Sequence, residues 1–239
     1  MAFIHGKNTA VFVNGSNLSS YFNDSSVSQD VEVAETTTFG TDAKTYITGL
    51  RDGTMSADGM FDGALGAVDN VLSGIIGSTA ADVVSMLPEG AVAGKPSYSA
   101  AARETSYEVS SPVGDVVSAS MEVQATGGID RGLVLIGLSA VSTVSNSSSI
   151  DNAAGTSNGG VGYLHVTSNT RDGSAAFSVQ DSADNITFAD LVTFTSVPTL
   201  TTGGERIAVS GSVGRYVRTE VTPGGSSGSV TYTMAFARK

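Results

Sequence analysis

Residues 36–63 read TTTFGTDAKTYITGLRDGTMSADGMFDG, and this stretch decides the fold. It has no histidine or cysteine, and glycine recurs every few residues. From Thr54 onward it alternates: Met55, Ala57, Gly59 and Phe61 share one side, and Thr54, Ser56 and Asp58 share the other. A period of two is the mark of a strand with one buried and one wet face. The preceding residues 27–33 alternate as well, with Val27, Gln29, Val31 and Val33 opposite Ser28, Asp30 and Glu32. Two such runs joined through a polar middle predict one long β-hairpin. Its middle, about residues 41–50, is expected to stand in solvent unless a partner covers it.

The same pattern continues outward. Thr105, Tyr107 and Val109 oppose Ser106 and Glu108; Val117, Ala119, Met121 and Val123 oppose Ser118, Ser120, Glu122 and Gln124. The wet side repeatedly carries acids, as expected of antiparallel strands solvated on one face. Between these runs, Leu65, Val68, Val71, Leu72, Ile75 and Ile76 follow helical spacing, which predicts one packing helix with Asp62 as N-cap and Gly77 as its stop. Composition agrees. Forty per cent of the 239 residues are hydrophobic, glycine numbers 29, and Val, Thr and Ser are plentiful. The chain is expected to be mainly β, with a core of its own.

A second region follows. Residues 142–160, STVSNSSSIDNAAGTSNGG, have the composition of a flexible linker. Beyond them, GYLHVTS, AAFSVQDS, NITFADLVTF, ERIAVSG, GRYVRTEVT and GSVTYTMAFARK read as short strands at sandwich spacing. The expected organisation is a first domain over residues 1–145, a linker over 146–160 and a C-terminal β-sandwich over 161–239. Charge divides unevenly. Residues 1–150 hold 16 of the 23 acids but 6 of the 12 bases, so nearly all of the net −11 belongs to the first part. An acidic surface disfavours nucleic-acid binding, which needs Lys and Arg to displace phosphate counterions.

Little else in the sequence points to chemistry. There are no cysteines, and the two histidines, His5 and His165, are far apart. Two matches to G-x-S-x-G, centred on Ser157 and Ser226, lie in Gly/Ser-rich turns with no helical pattern after them, whereas a nucleophile elbow requires strand, turn and helix. Asp58 and Asp62 flank a Met-Phe pair and read as turn residues. No catalytic residue, cofactor or metal site is expected, so the chain is not expected to be an enzyme. The N-terminal residues show no sustained apolar signal region, and the longest apolar run, residues 133–138, is too short to span a membrane.

The hairpin stretch resembles that of phage major tail (tail tube) proteins of long, non-contractile tails. The agreement extends in order through ALGAVDNVLSGIIGS, DVVSMLPEG and PSYSAAARETSYEVSSPVGDVVSASMEVQATGGIDRG. The phrases DSADNITFADL and GRYVRTEVT resemble an extra β-domain that follows the tube domain in some tail proteins. The resemblance implies a structural virion protein, assembled in a bacterial host cytoplasm and built into the tail as stacked hexameric rings. Each subunit would lend strands to a continuous barrel around a bore through which DNA passes without specific binding. Tape-measure, tail-tip and terminator proteins would be partners. The ring-stacking hairpin would comprise Phe39, Gly40, Thr41, Asp42, Ala43, Lys44, Thr45, Tyr46, Ile47, Thr48, Leu50 and Arg51. The candidate bore-lining acids are Asp30, Glu32, Asp58, Glu108 and Glu122. The alternative is a virion decoration protein or a carbohydrate-binding adhesin, motivated by Tyr163, Tyr216 and Tyr232 as stacking surfaces for sugars.

Overall fold

The computed structural model describes residues 3–239. It is mainly β and antiparallel throughout. In the first part the strands are β1 (Ala10–Val13), β2 (Ser16–Asn17), β3 (Phe22–Glu35), β4 (Tyr46–Met60), β5 (Asp82–Leu87), β6 (Pro96–Ser110), β7 (Ser118–Ala125) and β8 (Asp130–Val141). Then come β9 (Ser145–Asn146), β10 (Ile150–Asp151), β11 (Gly160–Asn169), β12 (Ala175–Ser182), β13 (Ala189–Thr193), β14 (Gly203–Val209), β15 (Tyr216–Pro223) and β16 (Val230–Arg238). One α-helix, α1 (Val68–Ile75), lies between β4 and β5.

An 11-stranded sheet runs β14-β11-β16-β8-β6-β5-β1-β2. From β6 it branches through β7 and β4 to β3. The branch exists because β6 is long enough to hold two partners in succession on one side: Pro96–Ser99 pairs with β8, and Ala102–Ser110 pairs with β7. A second, five-stranded sheet holds β10-β15-β12-β13, with β9 also on β15.

Two cores result. The first gathers Val11, Leu18, Met55, Ala57, Val84, Ala102, Met121 and Val123 under α1, which contributes Val68 and Leu72. The second lies between the two sheets and is built on Phe177, Val179, Val221, Tyr232, Met234 and Phe236. The tight turn joining β1 to β2 needs two left-handed residues in succession, and Asn14 (φ 45°) followed by Gly15 (φ 86°) supplies them. The Gly15 N–H then donates to the buried His165 ring at 3.2 Å.

Two expectations are corrected here, and a third is qualified. The helix spans only Val68–Ile75; Leu65 stands outside it, 94% exposed, and the N-cap position is Ala67. Asp62 accepts instead from the Ala64 N–H in the preceding turn, at 2.9 Å. Gly77, with φ 75°, does follow the helix end. The Ser/Asn-rich run is no free linker, since β9 and β10 within it both pair with β15. The small polar side chains that suggested flexibility make the attachments: Ser147 Oγ accepts the Thr219 N–H at 3.0 Å, and the Asp151 carboxylate takes Arg215 at 2.6 Å. Residues 160–238 do supply both layers of a sandwich, β14-β11-β16 facing β15-β12-β13 across the second core, but it is not free-standing. β16 pairs along β8, so one sheet of that sandwich continues the sheet of the first part.

Leu72 is fully buried between α1 and the first core. Leu72→Ala should destabilise the protein by about 2–5 kcal/mol, the usual cost of such a cavity, measured by urea denaturation.

Candidate functional site

β3, β4, β7 and β6 form a four-stranded sheet that α1 covers on one face only. Met55, Ala57, Met121 and Val123 point toward the helix side and are buried. The opposite face is read from the register. Asp24, Asp58, Ser120 and Glu108 lie in one row across four strands. The next row is Ser26, Ser56, Glu122 and Ser106, tied in part by a 2.9 Å contact between the Ser26 and Ser56 hydroxyls. Further along, Asp30 opposes Asp52, and Glu32, inside a register shift between Val31 and Val33, follows Asp30 by strand parity and is exposed. Neither of the first two rows contains a cation. Arg103, in the row after them, donates to the Ser78 and Ala80 carbonyls at the sheet's rim.

All five acids singled out from the sequence, Asp30, Glu32, Asp58, Glu108 and Glu122, therefore project from one exposed face. Asp24 and Asp52 join them. They were missed although strand parity places Asp24 with Asp30 and Asp52 with Asp58. Asp52 is held by the Gln124 amide and by its neighbour's N–H, from Gly53, at 2.8 Å.

This sheet has two bare edges among the described residues. β3 pairs with β4 alone, so its outer side is unpaired along its whole length. On β6, β5 covers only Tyr98–Ala102, leaving residues 103–110 unpaired on that side. The two edges run in opposite directions, because each neighbouring pair from β3 to β6 is antiparallel. Unpaired N–H and C=O groups along such edges are a template for another strand.

The β3–β4 hairpin extends well past the sheet. Gln29–Gly53 to Glu35–Tyr46 is still a ladder, roughly 20 Å long at the usual strand rise. Both faces of it are solvent-exposed, including Val33 (61%), Ile47 (59%) and Leu50 (76%). The Thr36 N–H donates to the Thr45 carbonyl at 2.8 Å to close the ladder, and a Lys44–Glu35 ion pair spans 3.0 Å. The Lys44 ammonium holds the Glu35 carboxyl below its ordinary range. Phe39 at the tip is wholly exposed, and Gly40 turns the chain with φ 87°. The tip residues Thr41, Asp42 and Ala43 and the arm residues Tyr46, Thr48 and Arg51 are exposed as well. An isolated two-stranded ribbon with apolar side chains on both faces is marginal in water, so contact with a neighbour would stabilise it.

Under the same β6 strand lies a buried carboxyl pair. Glu104 and Asp82 sit diagonally across β5 and β6 on the core face, since Asp82 is opposite Ala102. Both are over nine-tenths buried. Asp82 Oδ1 accepts from Asn14 Nδ2 at 2.6 Å, while Asp82 Oδ2 and both Glu104 oxygens find no donor among the described residues. Burial, reinforced by the nearby Asp82, pushes Glu104 up to about 7. Burial raises Asp82 too, opposed by its Asn14 bond and by Arg103.

The other candidate sites take ordinary places. His165 is buried. Its Nδ1 accepts from Gly15, its Nε2 lies 2.8 Å from the Ser85 hydroxyl, and burial lowers it to about 3. Ser226 is fixed by Asp172, whose carboxylate takes the Ser226 hydroxyl and the backbone N–H groups of Ser226 and Ser227. Among the described residues no three His, Cys, Asp or Glu side chains gather to hold a metal ion. No described helix is long and apolar enough to cross a membrane. Tyr163 and Tyr232 are buried in the cores, not displayed, and only the half-buried Tyr216 reaches the surface, under the Arg215 guanidinium.

No family model and no curated protein sequence matches the chain. Among solved structures, the chain is similar to one from the virion of a native gene transfer agent particle. Identity is 13% over 54% of this chain and 98% of that one, with a TM-score of 0.46. A chain from the tail of an empty gene transfer agent particle, computed with C6 symmetry, gives 14% identity over 53% of this chain and 97% of that one, with a TM-score of 0.46. One from the phage p2 baseplate in its activated conformation with strontium gives 7% over 97% of this chain and 98% of that one, with a TM-score of 0.33.

The buried carboxyl pair makes a pH prediction. A folded-state value of about 7 lies above the unfolded carboxyl's, so the protonated Glu104 favours the fold at low pH. That contribution falls as pH rises from the unfolded value through about 7. Glu104→Gln should therefore raise the melting temperature relative to the parent, more at about pH 8 than at about pH 4.5. Parallel melting curves across that range would show that Glu104 titrates normally.

Proposed function

We propose that this chain is a structural virion subunit that builds a phage-type tail tube. Copies join edge to edge, the outer side of β3 of one against residues 103–110 of β6 of the next. The carrying observation is the four-stranded sheet with two bare edges and one exposed acid-and-serine face. Because the edges run oppositely, each junction is another antiparallel ladder, and rotation of identical copies closes a barrel with no edge left. Six copies form a ring in this reading.

α1 and the cores lie on one side of that sheet, so the uncovered face turns inward. Asp30, Glu32, Asp58, Glu108 and Glu122, with Asp24 and Asp52, then line the bore. A negative wall repels a passing DNA, and its first two rows offer no cation for the phosphates to hold. The arm from Phe39 to Arg51 reaches the adjacent ring. Residues 1–145 act as the tube-forming unit, and residues 161–239 form an outer layer. Tape-measure, tail-tip and terminator proteins would meet the two ends of the tube, and the protein would reside in the virion tail. The decoration or adhesin reading keeps only Tyr216 of its three stacking residues, because Tyr163 and Tyr232 are buried.

Concentrated protein viewed by negative-stain microscopy should show rings and tubes. A species that stays monomeric at every concentration, with or without tail initiation factors, would refute the reading. Replacing residues 36–45 by Asn-Gly should leave ring formation intact and abolish stacking. Tubes at the parent's yield from that variant would remove the role assigned to the arm.

A further inference from the structure

The four-stranded sheet differs in charge at its two ends. At the root of the arm is a cleft of about 620 Å³, in the angle between the arm and the start of β8. Arg51, Arg131, Arg238 and Lys239 line it, with Asp30, Asp52 and Asp130. Two of these acids already have partners. Asp130 accepts from Tyr163 at 2.5 Å and from Arg206 at 3.2 Å, and Asp52 takes the Gln124 amide. Arg238 is the reverse case: its Nε and Nη2 are buried and find no acceptor among the described residues. A guanidinium desolvated without an acceptor is costly, and a carboxylate meeting its accessible Nη1 would offset part of that cost.

The opposite end carries such carboxylates. There the β6–β7 loop closes a second cleft of about 390 Å³, lined by Asp58, Glu108 and Asp115 and by no lysine or arginine. The loop itself projects Val113, fully exposed, and Val116, 59% exposed. The basic cleft in turn offers Val31 and Ile129. Ser110 pairs with Ser118 at the acidic end, while Ala102 pairs with Ala125 at the arm end, so the two features are a full strand length apart.

We propose that the basic cleft is the seat for the β6–β7 loop of a second copy. Asp115 of that copy meets the Arg131 and Arg238 side, and Val113 and Val116 cover Val31 and Ile129. This rests on the tube reading and gives the stack its polarity: acidic end onto basic end, with the neighbour's loop wedged beside the arm. Two acidic ends facing each other, or two basic ones, would repel. Because Arg238 belongs to β16, the C-terminal part takes part in holding the rings together.

The test uses the full chain and two exposed positions. Asp115→Lys alone and Arg131→Glu alone should each leave the circular dichroism spectrum, the melting temperature and ring formation unchanged. Each should lower the fraction of protein that sediments as tubes by more than about tenfold. The double variant, with both charges exchanged, should restore tubes. Parent tube formation should weaken as salt is raised, because Asp115 and Arg131 are both exposed. Parent-like tubes from both single variants, or failure of the double variant to recover, would overturn the end-to-end contact while leaving the tube reading intact. Absence of rings and tubes in the parent would overturn both.

Discussion

Backbone hydrogen bonding that the chain does not complete for itself governs this structure. Each strand of an antiparallel sheet owes its neighbours N–H and C=O partners, and only the outermost strands are left over. Here the leftovers are concentrated. β3 offers one side over 14 residues, and β6 offers its second half. Elsewhere the long sheet is protected: β2 is two residues long, and β14 is packed against β5 and β13. Long edges are usually blunted by charge, proline or a covering segment. The β3 edge has no proline, and the acids along it point to a face of the sheet, not across the edge.

The sheet face and the edge act together. Alternation puts Met55, Ala57, Met121 and Val123 under α1 and, by the same geometry, sends Asp58, Ser120 and Glu122 to the other side. A register slip of one residue would bury the acids and expose the core. The apolar core thus fixes where the carboxylates go, and any assembly through the edges inherits that orientation. The arm is an extension of the same ladder beyond the core, which is why it keeps strand geometry yet has no buried face.

The parts of this plan that depend on local periodicity were legible in the sequence. The hairpin, the strands flanking it and the shared side of Asp30, Glu32, Asp58, Glu108 and Glu122 all follow from a period of two. What depends on distant pairing was not legible. Residues 142–160 have the composition of a linker, and no local signal reveals that Ser145–Asn146 and Ile150–Asp151 find β15. Tyr163 and Tyr232 alternate as a surface pair would, yet both their strands lie between two layers and are covered on both sides. Leu65 fits the helical stripe but precedes the helix, because the turn around Gly66, with φ 80°, breaks the run. Glu104 could not be separated from the other acids by pattern. The β-bulge between it and Ser106 places it on the core side while Glu108 faces solvent.

The pairing of β8 with β16 has a bearing on biosynthesis. Nearly ninety residues separate the end of β8 from the start of β16 in the chain. During translation β8 leaves the ribosome long before the strand that occupies its far side, so a nascent subunit carries a bare seam that the finished one lacks. Until then that temporary seam is a further template on which a strand of another chain could pair. Completion of β16 removes that seam, so the long bare edges of the first part, on β3 and β6, are the ones the finished subunit keeps.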